Sequence, residues 1–169
     1  MAPRVVPDLN KYYLLYSMPP YWLALVVFNF TNKIKRRAKV WQLNLQHSHI
    51  GHVTLSKLMN DEGCKSIALI QEPYLRTDGS LVKVPNYFSY GSKDARACIW
   101  LPFGTQYLAI PQLTSRDIST VQIESKPNYI LSSVYLDITH KGDEILANLN
   151  KLADFIHSTR QKLVLGVDS

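Results

Sequence analysis

Only two cysteines, Cys64 and Cys98, occur in 169 residues. Two isolated thiols supply no disulfide framework, so they read as reduced and partly buried in an intracellular protein. No Cys or carboxylate completes a zinc spacing around His47, His49 and His52, which therefore read as a polar loop and helix start rather than a transition-metal cluster. Long apolar runs are lacking too. Residues 12–30 are strongly apolar, but Pro19-Pro20 interrupts them and only residues 21–28 run unbroken, short of the roughly 20 needed to span a bilayer as a helix. No small-residue cleavage site precedes Lys33-Ile34-Lys35-Arg36-Arg37, so no signal peptide is expected. Internal repeats, low-complexity segments and a nucleophile elbow around Ser48 or Ser133 are likewise absent.

Charge is unevenly spread. Residues 1 to 40 hold seven Lys and Arg against Asp8 alone, and the remainder balances twelve basic with twelve acidic groups. The whole net charge of +6 thus sits in the leader. A nucleic-acid footprint normally shows as a basic patch on the folded domain, so composition by itself does not argue for DNA. The basic run at 33–37 reads as a nuclear-localisation signal, a lipid-facing patch or a solvated linker.

What the chain does have is a set of polar residues at the ends of apolar strands. Ser66-Ile67-Ala68-Leu69-Ile70-Gln71-Glu72 is a short apolar run bounded by the turn Pro73-Tyr74, the pattern of a buried strand. Ligand sites in open α/β sheets lie beyond the carboxyl ends of such strands, which makes Glu72 a candidate metal ligand. Ala38-Lys39-Val40-Trp41-Gln42-Leu43-Asn44-Leu45 alternates as a strand does and sets Asn44 near its end. A third apolar run, Lys162-Leu163-Val164-Leu165-Gly166-Val167-Asp168, delivers Asp168. Carboxylate and amide oxygens in such a constellation suit Mg²⁺, a hard cation that takes oxygen ligands and keeps several waters. Taken singly, a polar residue at a strand exit is more often a solvated turn or a cap.

The order Trp41-Gln42-Leu43-Asn44-Leu45, Ala68-Leu69-Ile70-Gln71-Glu72-Pro73-Tyr74, Ser133-Val134-Tyr135-Leu136-Asp137 and Val164-Leu165-Gly166-Val167-Asp168-Ser169 resembles the endonuclease/exonuclease/phosphatase superfamily. It is most similar to the apurinic/apyrimidinic-type endonuclease domain of non-LTR retrotransposons, a branch favoured by Gln71-Glu72-Pro73-Tyr74 and by Arg96-Ala97-Cys98-Ile99-Trp100. The resemblance implies an incomplete two-sheet α/β sandwich, Mg²⁺ as cofactor and DNA as partner. It implies that Glu72 is the direct carboxylate ligand, with Asn44 beside it at the metal. Tyr135 then contacts the scissile phosphate, and Asp168 orients or deprotonates the attacking water. In the family that aspartate opens an Asp-x-Asn motif, and a later Asp and a Ser-Asp-His segment follow; this sequence stops at Ser169. The expectation is therefore the N-terminal part of such a domain at 39–169, catalytically incomplete, with residues 1–38 as an apolar then basic leader outside it. The alternatives are a non-enzymatic remnant whose leader directs membrane or nuclear association, and a phosphatase on the same scaffold.

Between these motifs the pattern is α/β. Val53, Leu55, Leu58 and Met59 predict one face of a helix that Gly63 ends. Strands are predicted at 87–90, 98–101, 107–110, 119–123 and 130–136, separated by turns such as Asp78-Gly79 and Pro102-Phe103-Gly104. Ile145, Leu146, Leu149, Leu152, Ala153 and Ile156 predict the core-facing stripe of a second helix over 143–158, with acidic residues at its start.

Overall fold

The computed structural model describes residues 12–16, 24–28, 38–63, 65–125, 127–137 and 142–168. Cys64, the basic run at 33–37 and Ser169 lie outside the described residues, and with them the expectations made for each.

Two mixed sheets pack face to face. In chain order the strands are β1 (Tyr12–Tyr16), β2 (Ala24–Phe28), β3 (Ala38–Asn44), β4 (Ser66–Gln71), β5 (Tyr87–Tyr90), β6 (Ala97–Pro102), β7 (Tyr107–Ala109), β8 (Ile118–Ile123), β9 (Tyr129–Tyr135) and β10 (Lys162–Asp168), with helices α1 (His49–Asp61) and α2 (Gly142–Thr159). One sheet runs β2-β3-β4-β6-β5 and the other β1-β10-β9-β8-β7. Four strands of each sheet come from residues 38–168, and one outer strand of each comes from the leader, β1 parallel to β10 and β2 antiparallel to β3.

Period-2 alternation decides which side chain meets which layer. In β4, Ile67 and Leu69 join Val40, Ile99, Leu101, Val121, Leu131 and Val164 in the core between the sheets. Ala68 and Ile70 face the other way, into a second core with Trp41, Trp100, Leu55 and Met59 under α1. Both faces of β4 are therefore covered, which is why its sequence reads as a continuous apolar run. A third cluster, Ile110, Ile130, Leu152, Ile156 and Leu163, seats α2 on the outer face of the other sheet. The layers are thus helix, sheet, sheet, helix, the two-sheet α/β sandwich that the resemblance implies.

Two helix faces differ from expectation. The buried residues of α1 are His52, Leu55 and Met59, whereas Val53 and Leu58 are exposed. The inward stripe follows the i, i+3, i+7 spacing through His52, whose imidazole packs edge-on against Trp100 with ring centroids 4.8 Å apart. In α2, Leu152 and Ile156 are buried and Leu149 packs against Ile118, Val134 and Val167, but Leu146 and Ala153 face outward. Gly63 does follow the end of α1, at φ 79° with its N–H on Asn60 O.

Candidate active site

Parallel strands joined by a crossover leave a sheet at the same rim, and here α1 joins β3 to β4 and α2 joins β9 to β10. β3 and β4 are parallel, with Asn44 opposite Gln71, so Glu72 emerges beside Asn44. β9 and β10 are parallel, with Tyr135 opposite Asp168. Packing the sheets brings the two rims together. Asn44 Nδ2 donates to Glu72 Oε2 at 2.8 Å and to Asp168 Oδ2 at 2.5 Å, a bond that joins residues 124 apart in sequence.

The orientation of Asn44 follows from donor chemistry. The Gln46 backbone N–H donates to Asn44 Oδ1 at 2.7 Å. An N–H can only donate, so the oxygen of this side chain is turned to the loop and its NH₂ to the carboxylates. In this arrangement Asn44 aligns Glu72 and Asp168 through its NH₂.

Beneath the rim a buried polar chain fixes the offset of the two sheets. Gln42 Nε2 donates to Gln71 Oε1 (3.2 Å) and to Val167 O (3.1 Å), and Gln71 Nε2 donates to Ser133 Oγ (3.0 Å) and Gly166 O (3.3 Å). Buried amides demand partners, and apart from the Gln42–Gln71 bond those partners lie on the opposite sheet. Gly166 makes this approach feasible, because a Cβ there would fall 2.9 Å from Gln42 Cγ and from Leu69 Cβ.

Three non-glycine residues at the rim adopt left-handed backbone: Gln46 (φ 49°), His47 (φ 53°) and Glu72 (φ 45°). Such a conformation costs about 1–2 kcal/mol per residue, and paired backbone groups hold it in place. His47 N–H donates to Glu72 O at 2.9 Å, and Glu72 N–H donates to Arg96 O at 2.8 Å. The turn carries the His47 ring back toward Glu72, with Nε2 3.7 Å from Oε1.

Tyr135 stands on the same rim. Burial first, then the charge of Glu72 and a hydrogen bond to it, push its phenol above the ordinary value, so it remains a neutral donor. The guanidinium of Arg96 lies 5.1 Å from the centre of its ring, gripped by Asp117 Oδ1 and Asp137 Oδ2, each at 2.5 Å. These hydrogen bonds, that to Asp117 foremost, raise the Arg96 pKa against the opposing effect of burial.

The structure therefore brings together Asn44, Glu72, Tyr135 and Asp168. It disperses the three clustered histidines: His47 joins the rim, His49 lies edge-on to Tyr74 with centroids 5.0 Å apart, and His52 enters the core. Burial, then the neighbouring His49, lower the His52 pKa. Among the described residues no three His, Cys, Asp or Glu side chains form a ready-made metal cage. Cys98 is buried in the core and its thiol is pushed up by desolvation, so it is an unreactive packing residue. Arg96 was visible in sequence only as the start of a motif; an Arg opening a buried strand requires carboxylates, and those come from the ends of β8 and β9.

No family model and no curated protein matches the chain. Among solved structures it is similar to the "Endonuclease domain of TRAS1, a telomere-specific non-LTR retrotransposon", with TM-score 0.60 and 23% identity over 76% of this chain. The match covers 57% of that domain, so this chain spans little more than half its length. The likeness shows that the two share a fold.

Proposed function

We propose that the chain carries the metal- and phosphate-binding part of a magnesium-dependent endonuclease that hydrolyses phosphodiester bonds in DNA, catalytically incomplete over these 169 residues. The observation that carries this reading is the single Asn44 amide shared between Glu72 and Asp168. It draws two carboxylates onto one partly open rim beside a phenol donor. Hard carboxylate oxygens at such a rim fit Mg²⁺. Glu72 would hold the cation, which when bound neutralises charge on the phosphoryl oxygens.

The remaining steps fall to the chain's own groups. Asn44 keeps both carboxylates in register. The Asp168 carboxylate orients the attacking water and accepts its proton. Tyr135, kept protonated by its surroundings, donates a hydrogen bond to a phosphate oxygen. Protonation of the leaving oxygen falls, by the family resemblance, to a histidine that is not among residues 1–169.

Supercoiled-plasmid nicking by the purified 169-residue chain tests both parts. Little cleavage is expected at any Mg²⁺ concentration, while calorimetry should show Mg²⁺ binding that Glu72→Gln removes. Rapid Mg²⁺-dependent nicking abolished by Glu72→Ala would refute the incompleteness. Unaltered Mg²⁺ binding in Glu72→Gln would refute the metal assignment.

A further inference from the structure

His47 stands on the rim outside the metal, water and phosphate contacts assigned to Glu72, Asp168 and Tyr135. Its Nδ1 lies 3.1 Å from the carbonyl oxygen of Pro73. A carbonyl only accepts, so Nδ1 carries the proton and the lone pair of the neutral ring sits on Nε2. That nitrogen points at the Glu72 carboxylate, 3.7 Å from Oε1. A ring N–H tied to a backbone carbonyl is the arrangement that fixes tautomer and orientation in metal-ligating histidines. Two ligand atoms about 2.1 Å from one cation lie about 3.0 Å apart at a right angle and about 3.4 Å apart at the tetrahedral angle, so the 3.7 Å between these atoms closes on a cation with a small rotation of either side chain. The ring is also held by backbone on both sides. His47 occupies a left-handed turn, and its own N–H is bound to Glu72 O at 2.9 Å, so the imidazole and the carboxylate are set by one local frame.

We propose that His47 Nε2 is a second protein ligand of the divalent cation held by Glu72. This rests on the reading of Glu72 as a metal ligand and deepens it. An N,O pair changes what the site prefers: imidazole suits transition ions, whereas Mg²⁺ favours oxygen alone. The site should therefore take Mn²⁺ more tightly than Mg²⁺, water and phosphate oxygens completing the coordination.

The test uses the whole 169-residue chain with Mn²⁺ alone, read by pulsed EPR for ¹⁴N coupling and by titration for affinity. The variant is His47→Asn, because Asn tolerates left-handed backbone and leaves the turn intact; an unchanged melting temperature confirms it. The expected result is ¹⁴N coupling in the parent that disappears in His47→Asn, with Mn²⁺ affinity falling about tenfold or more and Mg²⁺ affinity changing far less. Mn²⁺ that binds the parent and is released by Glu72→Gln, yet shows no ¹⁴N coupling, would overturn the role of His47 while leaving Glu72 in place. Coupling that persists in His47→Asn would do the same, since the other histidines would then be its source. Mn²⁺ retained by Glu72→Gln would overturn the underlying assignment and this inference together.

Discussion

At Asn44 one side-chain amide serves a backbone N–H and two carboxylates at once. Asn44→Asp replaces the shared donor with a third carboxylate. In the absence of divalent ions it should destabilise the chain by about 2 kcal/mol, the scale of hydrogen bonds lost to charged groups. Added Mg²⁺ should recover part of that loss, because a ligand that binds only the folded state stabilises it. Thermal melts with and without Mg²⁺ check both halves. Tyr135 gives a pH signature. Its folded-state pKa is raised above the ordinary 10.0, so the stability it contributes is complete below about pH 10 and is lost as pH rises through the folded value. Across that alkaline window the parent should lose stability more steeply than Tyr135→Phe, and parallel slopes would show that the hydroxyl has no special environment. Asn44, Glu72 and Asp168 were legible because strand exits leave a mark in sequence, an apolar run followed by one polar residue. His47 was not, because its role depends on a left-handed turn and on a carbonyl 26 residues away.

Among the elements, the two βαβ crossovers place the site, and the buried glutamines set how the sheets face each other. Gln42 and Gln71 sit within alternating or apolar strands, where sequence offers no sign that their amides reach the opposite sheet. Gly166 is the element-scale test. Gly166→Ala places a methyl 2.9 Å from Gln42 Cγ and Leu69 Cβ, so the sheets must part or the amides rotate. A loss of about 1–3 kcal/mol is expected from such overpacking, measured by urea denaturation. An unchanged midpoint would mean that the sheets do not approach as described. The strands from residue 38 onward were readable, β3 by its alternation and β4 as a continuous apolar run, whereas β1 and β2 fall in the leader, for which no strand was predicted. The helix faces were only partly so: the pattern reads His52 as part of a polar loop and helix start and puts Val53 on the apolar face of α1, and the difference lies in an imidazole that finds an aromatic partner in Trp100.

For the molecule as a whole, no helix among the described residues is long and apolar enough to cross a membrane. The fold itself is shared with a retrotransposon endonuclease domain, and the chemistry proposed for it rests on one rim. The direct test of that rim is a crystal of the 169-residue chain soaked in Mn²⁺ and measured for anomalous scattering. A single strong peak is expected at coordination distance from a Glu72 carboxylate oxygen, beside Asp168 and absent from crystals of Glu72→Gln. Anomalous peaks only elsewhere on the molecule, or a peak at the rim that survives Glu72→Gln, would contradict it.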